Sequence, residues 1–198
     1  MANSDTPFGA KPVGHLNGSP WNGKANVYYV PAAENTMALF IGDFVKSAGS
    51  ADATGKYPTV TAGTATAAIR GVIIGMGDNP YTMTHPDTPN RNYRPLQTEM
   101  YVWVVDDPQV IFEIQEDSVA GSIAYASVGL SCDFTAGAGS TTTGRSAHEV
   151  DSSEVNTTGQ LRLLRIVNRE DNELGNYCKW EVLIGEHELA NTIATGIA

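Results

Sequence analysis

The sequence predicts a mainly β fold, an antiparallel β-sandwich or small β-barrel with one short helix and an extended N-terminal arm. Three observations carry that reading. Apolar and polar residues alternate with a period of two in several short runs rich in β-branched and aromatic side chains. Those runs are bounded by Gly, Pro, Asp or Asn. Prolines collect at the start of the chain and again near its middle, and none follows Pro108.

The proline pattern divides the 198 residues. Pro7, Pro12, Pro20 and Pro31 lie in residues 1–31, which read as an extended arm, because proline removes a ladder donor and restricts the residue before it. Residues 32–189 read as a β-rich core, broken by a long loop at 77–96 that holds Pro80, Pro86, Pro89 and Pro95, and residues 190–198 as a C-terminal tail. Strands are expected within Ala38–Lys46, Ala68–Met76, Met100–Val105, Gln109–Gln115, Gln160–Val167 and Tyr177–Gly185, with a short one around Ala147–Val150. In the Tyr177–Gly185 run, Cys178, Trp180, Val182 and Ile184 share one face while Lys179 and Glu181 take the other. The one helix is expected in "DSVAGSIAYASVG", capped by Asp117 or Ser118 and ended by Gly129, although Gly121 weakens it.

Charge is unevenly spread. Residues 1–98 hold seven Lys/Arg and six Asp/Glu, a net of +1, whereas residues 99–198 hold five and sixteen, a net of −11. Binding a phosphate backbone needs a basic patch that releases counterions, so direct nucleic-acid binding is not expected. No apolar run is long enough to span a bilayer and the N-terminus has no signal-peptide core, so no membrane partner is expected and the chain reads as soluble and maturing inside a cell. Cys132 and Cys178 lack any metal or redox spacing and read as small buried hydrophobes, with a disulfide between them left open.

The densest acidic stretch is "YVWVVDDPQVIFEIQED", with five carboxylates between Asp106 and Asp117. It reads as a hairpin: strand, turn at Asp106-Asp107-Pro108, returning strand. Asp106 and Asp107 are then expected at a solvated tip, with Glu113 facing away from Phe112 and Ile114. Its spacing supports neither a glycosidase pair nor a calcium loop. His15, His85, His148 and His187 are scattered, and Glu186, His187 and Glu188 cannot converge on a metal from successive strand positions. "GMGDNP" lacks the Lys-Ser/Thr and the helix of a phosphate loop. No nucleophile elbow occurs, so no catalytic centre, metal or cofactor is expected and the chain does not read as an enzyme.

What remains to be explained is the arm, whose Gly- and Pro-rich sequence carries large apolar side chains that need something to bury against, on their own domain or on a neighbour. "DTPFGAKPVGHLNGSPWNGKANVYYVPA" (Asp5–Ala32) followed by "ALFIGDFVKSAG" (Ala38–Gly49) resembles the start of a family of tailed-bacteriophage capsid decoration, or cement, proteins. The resemblance continues through "YVWVVDDPQVIFEIQED", "GSTTTGRSAHEVDSS" (Gly139–Ser153) and "LRLLRIVNREDNELG…KWEVLIGEHEL" (Leu161–Leu189), leaving out mainly Tyr81–Arg91 and the last nine residues. It implies a decoration-protein-like β fold, a homotrimer and the major capsid protein as partner. It also implies a place on the capsid exterior after assembly in the host cytoplasm, and a head-stabilising role that bridges neighbouring capsid subunits.

Contact residues follow from residue type. Phe8, Pro12, His15, Trp21, Tyr28 and Tyr29 are the expected capsid contacts of the arm, through strand addition or aromatic anchoring, and Tyr81, Met83, Tyr93 and Arg94 are the expected contacts of a docking loop. Deleting residues 1–26 is expected to leave a folded domain that no longer binds. The alternatives are a carbohydrate-binding virion surface domain that stacks sugars on Tyr81, Tyr93 or Trp21, and a head-completion or tail-tube structural protein.

Overall fold

Two β layers share one core in the computed structural model, which describes residues 3–34, 37–78 and 92–190. The first layer is a five-stranded antiparallel sheet of β1 (Lys11–His15), β9 (Val110–Gln115), β14 (Lys179–Ile184), β13 (Leu161–Ile166) and β10 (Ser131–Cys132), in that order. The second is a closed five-stranded barrel of β2 (Asn26–Val30), β5 (Pro58–Ala62), β4 (Phe44–Ala51), β6 (Gly71–Gly77) and β8 (Met100–Val105). Its pairings are antiparallel except that β2 runs parallel to β5. Two small ribbons complete the fold, β3 (Leu39–Phe40) with β7 (Tyr93–Arg94) and β11 (Phe134–Gly137) with β12 (Ala147–Val150). The sandwich and barrel alternatives therefore combine: a barrel packs against a sheet.

Alternation explains how both layers fill. Met100, Val102 and Val104 of β8 enter the barrel interior with Tyr28, Val30, Val45, Val60 and Ile73. Phe112 and Ile114 of β9 join Trp180, Val182 and Ile184 of β14, Leu161 and Leu163 of β13, and Phe44 and Val72 of the barrel in the core between the layers. Trp180 is wholly buried and its indole N–H donates to Glu116 Oε2 at 2.9 Å. Glu116 also accepts from the amide of Ile123 and the hydroxyl of Ser118, which satisfies a carboxylate that burial pushes up in pKa.

The N-terminal segment lies on its own domain. β1 forms the sheet edge beside β9, Ala10 is buried in the core, Trp21 packs against it, and β2 is a barrel stave. The backbone crosses the β3–β4 turn at two glycines: Ala10 N–H donates to the Gly42 carbonyl at 2.9 Å, and both Gly9 (φ 73°) and Gly42 (φ 99°) take left-handed conformations. A Cβ at Gly9 would stand 2.4 Å from Cβ of Ser146, and one at Gly42 would stand 2.7 Å from the Phe8 carbonyl.

Three expectations are corrected. β8 and β9 do not pair as a hairpin: β8 belongs to the barrel and β9 to the sheet, so the Asp106–Gln109 link passes between layers. Asp106 is accordingly buried rather than solvated, because Asn26 and Tyr28 of β2 donate to it and Arg70 lies 4.0 Å away. Glu113 is also buried, paired with Arg169. The helix expected within Asp117–Gly129 reduces to a single 3-10 turn, Tyr125–Ser127. Ser118, Gly121 and Gly129 take positive φ, and only Ile123 has an apolar face to bury, so neither the local sequence nor packing rewards a helix.

Candidate functional site

A groove of about 570 Å³ lies between the N-terminal segment, the β3–β4 turn and β6. Its apolar lining comes from Phe8, Ala10, Pro12 and Trp21 on the first, Ile41 and Gly42 on the second, and Ile73 and Ile74 on the third. Its polar lining is Lys11, Glu113, Arg145, Arg169, Asp171 and Lys179. Each segment is there for a local reason. The two glycines let Phe8 and Ala10 approach the turn, and Ile41 is held by backbone bonds to Gly144 and Ser146, which also bring Arg145 to the rim. The bulge between Ile73 and Gly75 leaves Ile74 half-buried beside its neighbour.

Three of the six arm residues expected to make contacts, Phe8, Pro12 and Trp21, are thus brought together. His15 lines a separate depression of about 300 Å³ with Val13, Pro20 and Ile111, its Nδ1 3.6 Å from Asp107. Tyr29 is half-buried on the barrel, where it donates to Glu99 at 3.0 Å and its ring lies 5.3 Å from that of Tyr101. Tyr28 is only 3% exposed, and its hydroxyl donates to Asp106 Oδ2 at 2.5 Å and accepts from Arg70 Nε at 2.8 Å. Burial, followed by the Asp106 bond, pushes that phenol up to about 12.

The docking-loop residues divide. Tyr81 and Met83 lie outside the described residues. Tyr93 stacks on Phe40 with centroids 5.4 Å apart. Arg94 is fully buried and donates to the carbonyls of Pro31, Glu34, Met37 and Thr98, which makes it a tie between segments and removes it from any contact surface. Tyr28 and Arg94 carry the aromatic and guanidinium groups that commonly anchor interfaces, but the fold spends both internally.

Other ionisable groups are sealed. Asp43 and His148 are each 3% exposed and meet with His148 Nε2 3.5 Å from Asp43 Oδ1. His148 Nδ1 accepts from the Phe44 amide at 3.2 Å, so the ring is the neutral Nε2–H tautomer. Burial raises Asp43 to about 7 and lowers His148 to about 4. Burial likewise raises Cys132 to about 12 and Cys178 to about 11, and both are free thiols. Such thiols are poor nucleophiles. Among the described residues, no group of three His, Cys, Asp or Glu side chains is placed to hold a metal ion.

The groove walls Ile41, Ile73, Ile74 and Arg145 escape sequence reading because they converge from three remote segments. Gly9 between Phe8 and Ala10, and Gly42 after Ile41, were the available signal. Both edges of the five-stranded sheet are blunted as well. On β1, the Gly42 carbonyl takes the Ala10 amide, Pro12 has no donor, a bulge follows, and Ser19 accepts from His15. On β10, Ser131 exchanges both backbone bonds with Asn156. Set beside known proteins, the chain matches no family model, no curated protein and no solved structure.

Proposed function

We propose that the protein is a structural virion protein that binds the outer surface of a phage capsid and stabilises the shell by bridging neighbouring major capsid subunits, without converting a substrate. The observation that carries this reading is the groove, in which Phe8, Pro12 and Trp21 of the glycine- and proline-rich N-terminal segment form one apolar lining rimmed by charge. An interface draws its affinity from a few aromatic anchors in a desolvated pocket, and a rigid groove loses little entropy on binding. The resemblance of the segments from Asp5 to Leu189 to capsid decoration proteins supports the choice of partner.

Blunted sheet edges favour side-chain anchoring over strand addition as the binding mode. A single groove of this size is a modest anchor, so the proposed assembly is a homotrimer, in which three grooves on one rigid body act with avidity. The surplus of negative charge keeps such a coat soluble and indifferent to packaged DNA.

Co-sedimentation of the purified protein with purified heads tests the proposal. Saturable binding at a fixed ratio to the major capsid protein, weakened by Trp21→Ala, is expected. Wild-type protein that stays in the supernatant, or a glycan-array signal in the absence of head binding, overturns it.

A further inference from the structure

The groove also specifies the chemistry of its occupant. Glu113 and Asp171 are already neutralised within the lining: Arg169 Nη2 donates to Glu113 Oε1 at 3.0 Å and Arg169 Nε to Asp171 Oδ1 at 2.6 Å. Lys179 Nζ stands 3.6 Å from Asp171 Oδ2. Lys11 and Arg145 are exposed on the same lining and form no ion pair among the described residues. A chain of formal net charge −10 therefore presents, at this apolar groove, two uncommitted cations.

That placement selects by sign. A basic segment meets an acidic molecule in general but repulsion at the groove itself, whereas a carboxylate beside an apolar anchor finds both a complementary charge and a surface to desolvate. A small-molecule site usually has a few buried polar groups converging on one point. Here the two buried charged groups, Glu113 and Lys179, are committed to Arg169 and Asp171, and the free charges sit on the rim.

Resting on the lattice-binding reading above, we infer that the groove accepts a surface segment of the partner protein in which an aromatic or aliphatic side chain is flanked by Asp or Glu. The apolar group packs against Phe8 and Trp21, and the carboxylates pair with Lys11 and Arg145.

The test uses the full-length protein and two fluorescein-labelled heptapeptides, Gly-Asp-Glu-Trp-Glu-Asp-Gly and Gly-Lys-Lys-Trp-Lys-Lys-Gly, followed by anisotropy at low salt. The acidic peptide is expected to bind several-fold more tightly, up to about twenty-five-fold, since each of the two rim pairs contributes a factor of up to roughly five. The double variant K11E/R145E should abolish or reverse that preference, and K11Q/R145Q, which sets no like charge opposite Glu113, should remove it with an unchanged melting temperature. Equal binding of the two peptides, no binding of the acidic one, or a preference that survives K11E/R145E overturns the inference. Co-sedimentation separates it from the reading it rests on. If heads retain K11E/R145E as well as wild type, the inference fails while lattice binding stands. If the acidic peptide binds selectively but heads do not bind wild type, the inference stands while lattice binding fails.

Discussion

Ala10 donates its amide to the carbonyl of Gly42 at 2.9 Å, and this bond seats the N-terminal segment across the β3–β4 turn. It makes one wall of the groove part of the fold rather than a loose appendage. Deleting residues 1–26 then does more than remove contacts. It strips β1 from β9, uncovers Phe112 and the rest of the shared core, and takes Asn26 from Asp106. A protein with a markedly lower melting temperature, or one that aggregates, is expected in place of the intact domain that the sequence implies; an unchanged thermal transition would show that β1 contributes nothing to stability.

The two glycines at that crossing are predicted to resist substitution. Gly42→Ala forces a Cβ to 2.7 Å from the Phe8 carbonyl at a φ of 99°, and should cost about 2 kcal/mol or more. Gly23→Ala is the control, since its φ is also positive (82°) but nothing lies within 4 Å of the added carbon, and about 1 kcal/mol is expected. Denaturant titration of both variants checks the difference; equal losses would mean that the close approach is relaxed in solution.

Arg94 is predicted to act on stability and not on partner binding. Its guanidinium donates to four backbone carbonyls while fully buried, a geometry that a lysine ammonium cannot reproduce. Burial also pulls its pKa below the usual arginine value. Arg94→Lys should lower stability by about 2–4 kcal/mol, by analogy with breaking a buried charged hydrogen-bond network. A variant with native unfolding midpoint but lost head binding would reassign Arg94 to the contact surface.

The Asp43–His148 pair sets a pH signature. Asp43 has a raised pKa in the fold, so its contribution to stability is present at low pH and is lost as pH rises from about 4 to about 7. His148 has a lowered pKa, so its contribution is present above its ordinary value of 6.5 and is lost as pH falls toward about 4. Between pH 4 and 6.5 the slopes oppose each other, because folding moves one proton from the imidazole to the carboxyl without net uptake. Wild-type stability should carry little slope from this pair, whereas Asp43→Asn should add a rise of up to roughly 1.4 kcal/mol per pH unit across the same window. Urea midpoints at several pH values decide it; a D43N profile parallel to wild type would remove the pair from consideration.

Much of the scaffold was legible from alternation. The runs at Met100–Val105, Gln109–Gln115, Gln160–Val167 and Tyr177–Gly185 contain β8, β9, β13 and β14, because each places apolar side chains on every second residue toward a core, the barrel interior for β8 and the space between the layers for the other three. β1, β5 and β11 were missed where Pro12, Pro58 and the glycines around Phe134 mask a strand signal that only pairing reveals. Burial of Asp106 was not legible either, since its partners Asn26 and Tyr28 lie some 80 residues away. The groove was half legible. Its aromatic members announce themselves in a segment that otherwise reads as coil, but Ile41, Ile74 and Arg145 join them only through the fold.

Electron cryo-microscopy of the virion tests the central claim most directly. Density for three copies of this chain at local threefold positions is expected, with Phe8 and Trp21 turned toward the shell and Lys11 and Arg145 against carboxylates of the major capsid protein. Shells without the chain, or a bound chain whose groove faces solvent, would contradict it.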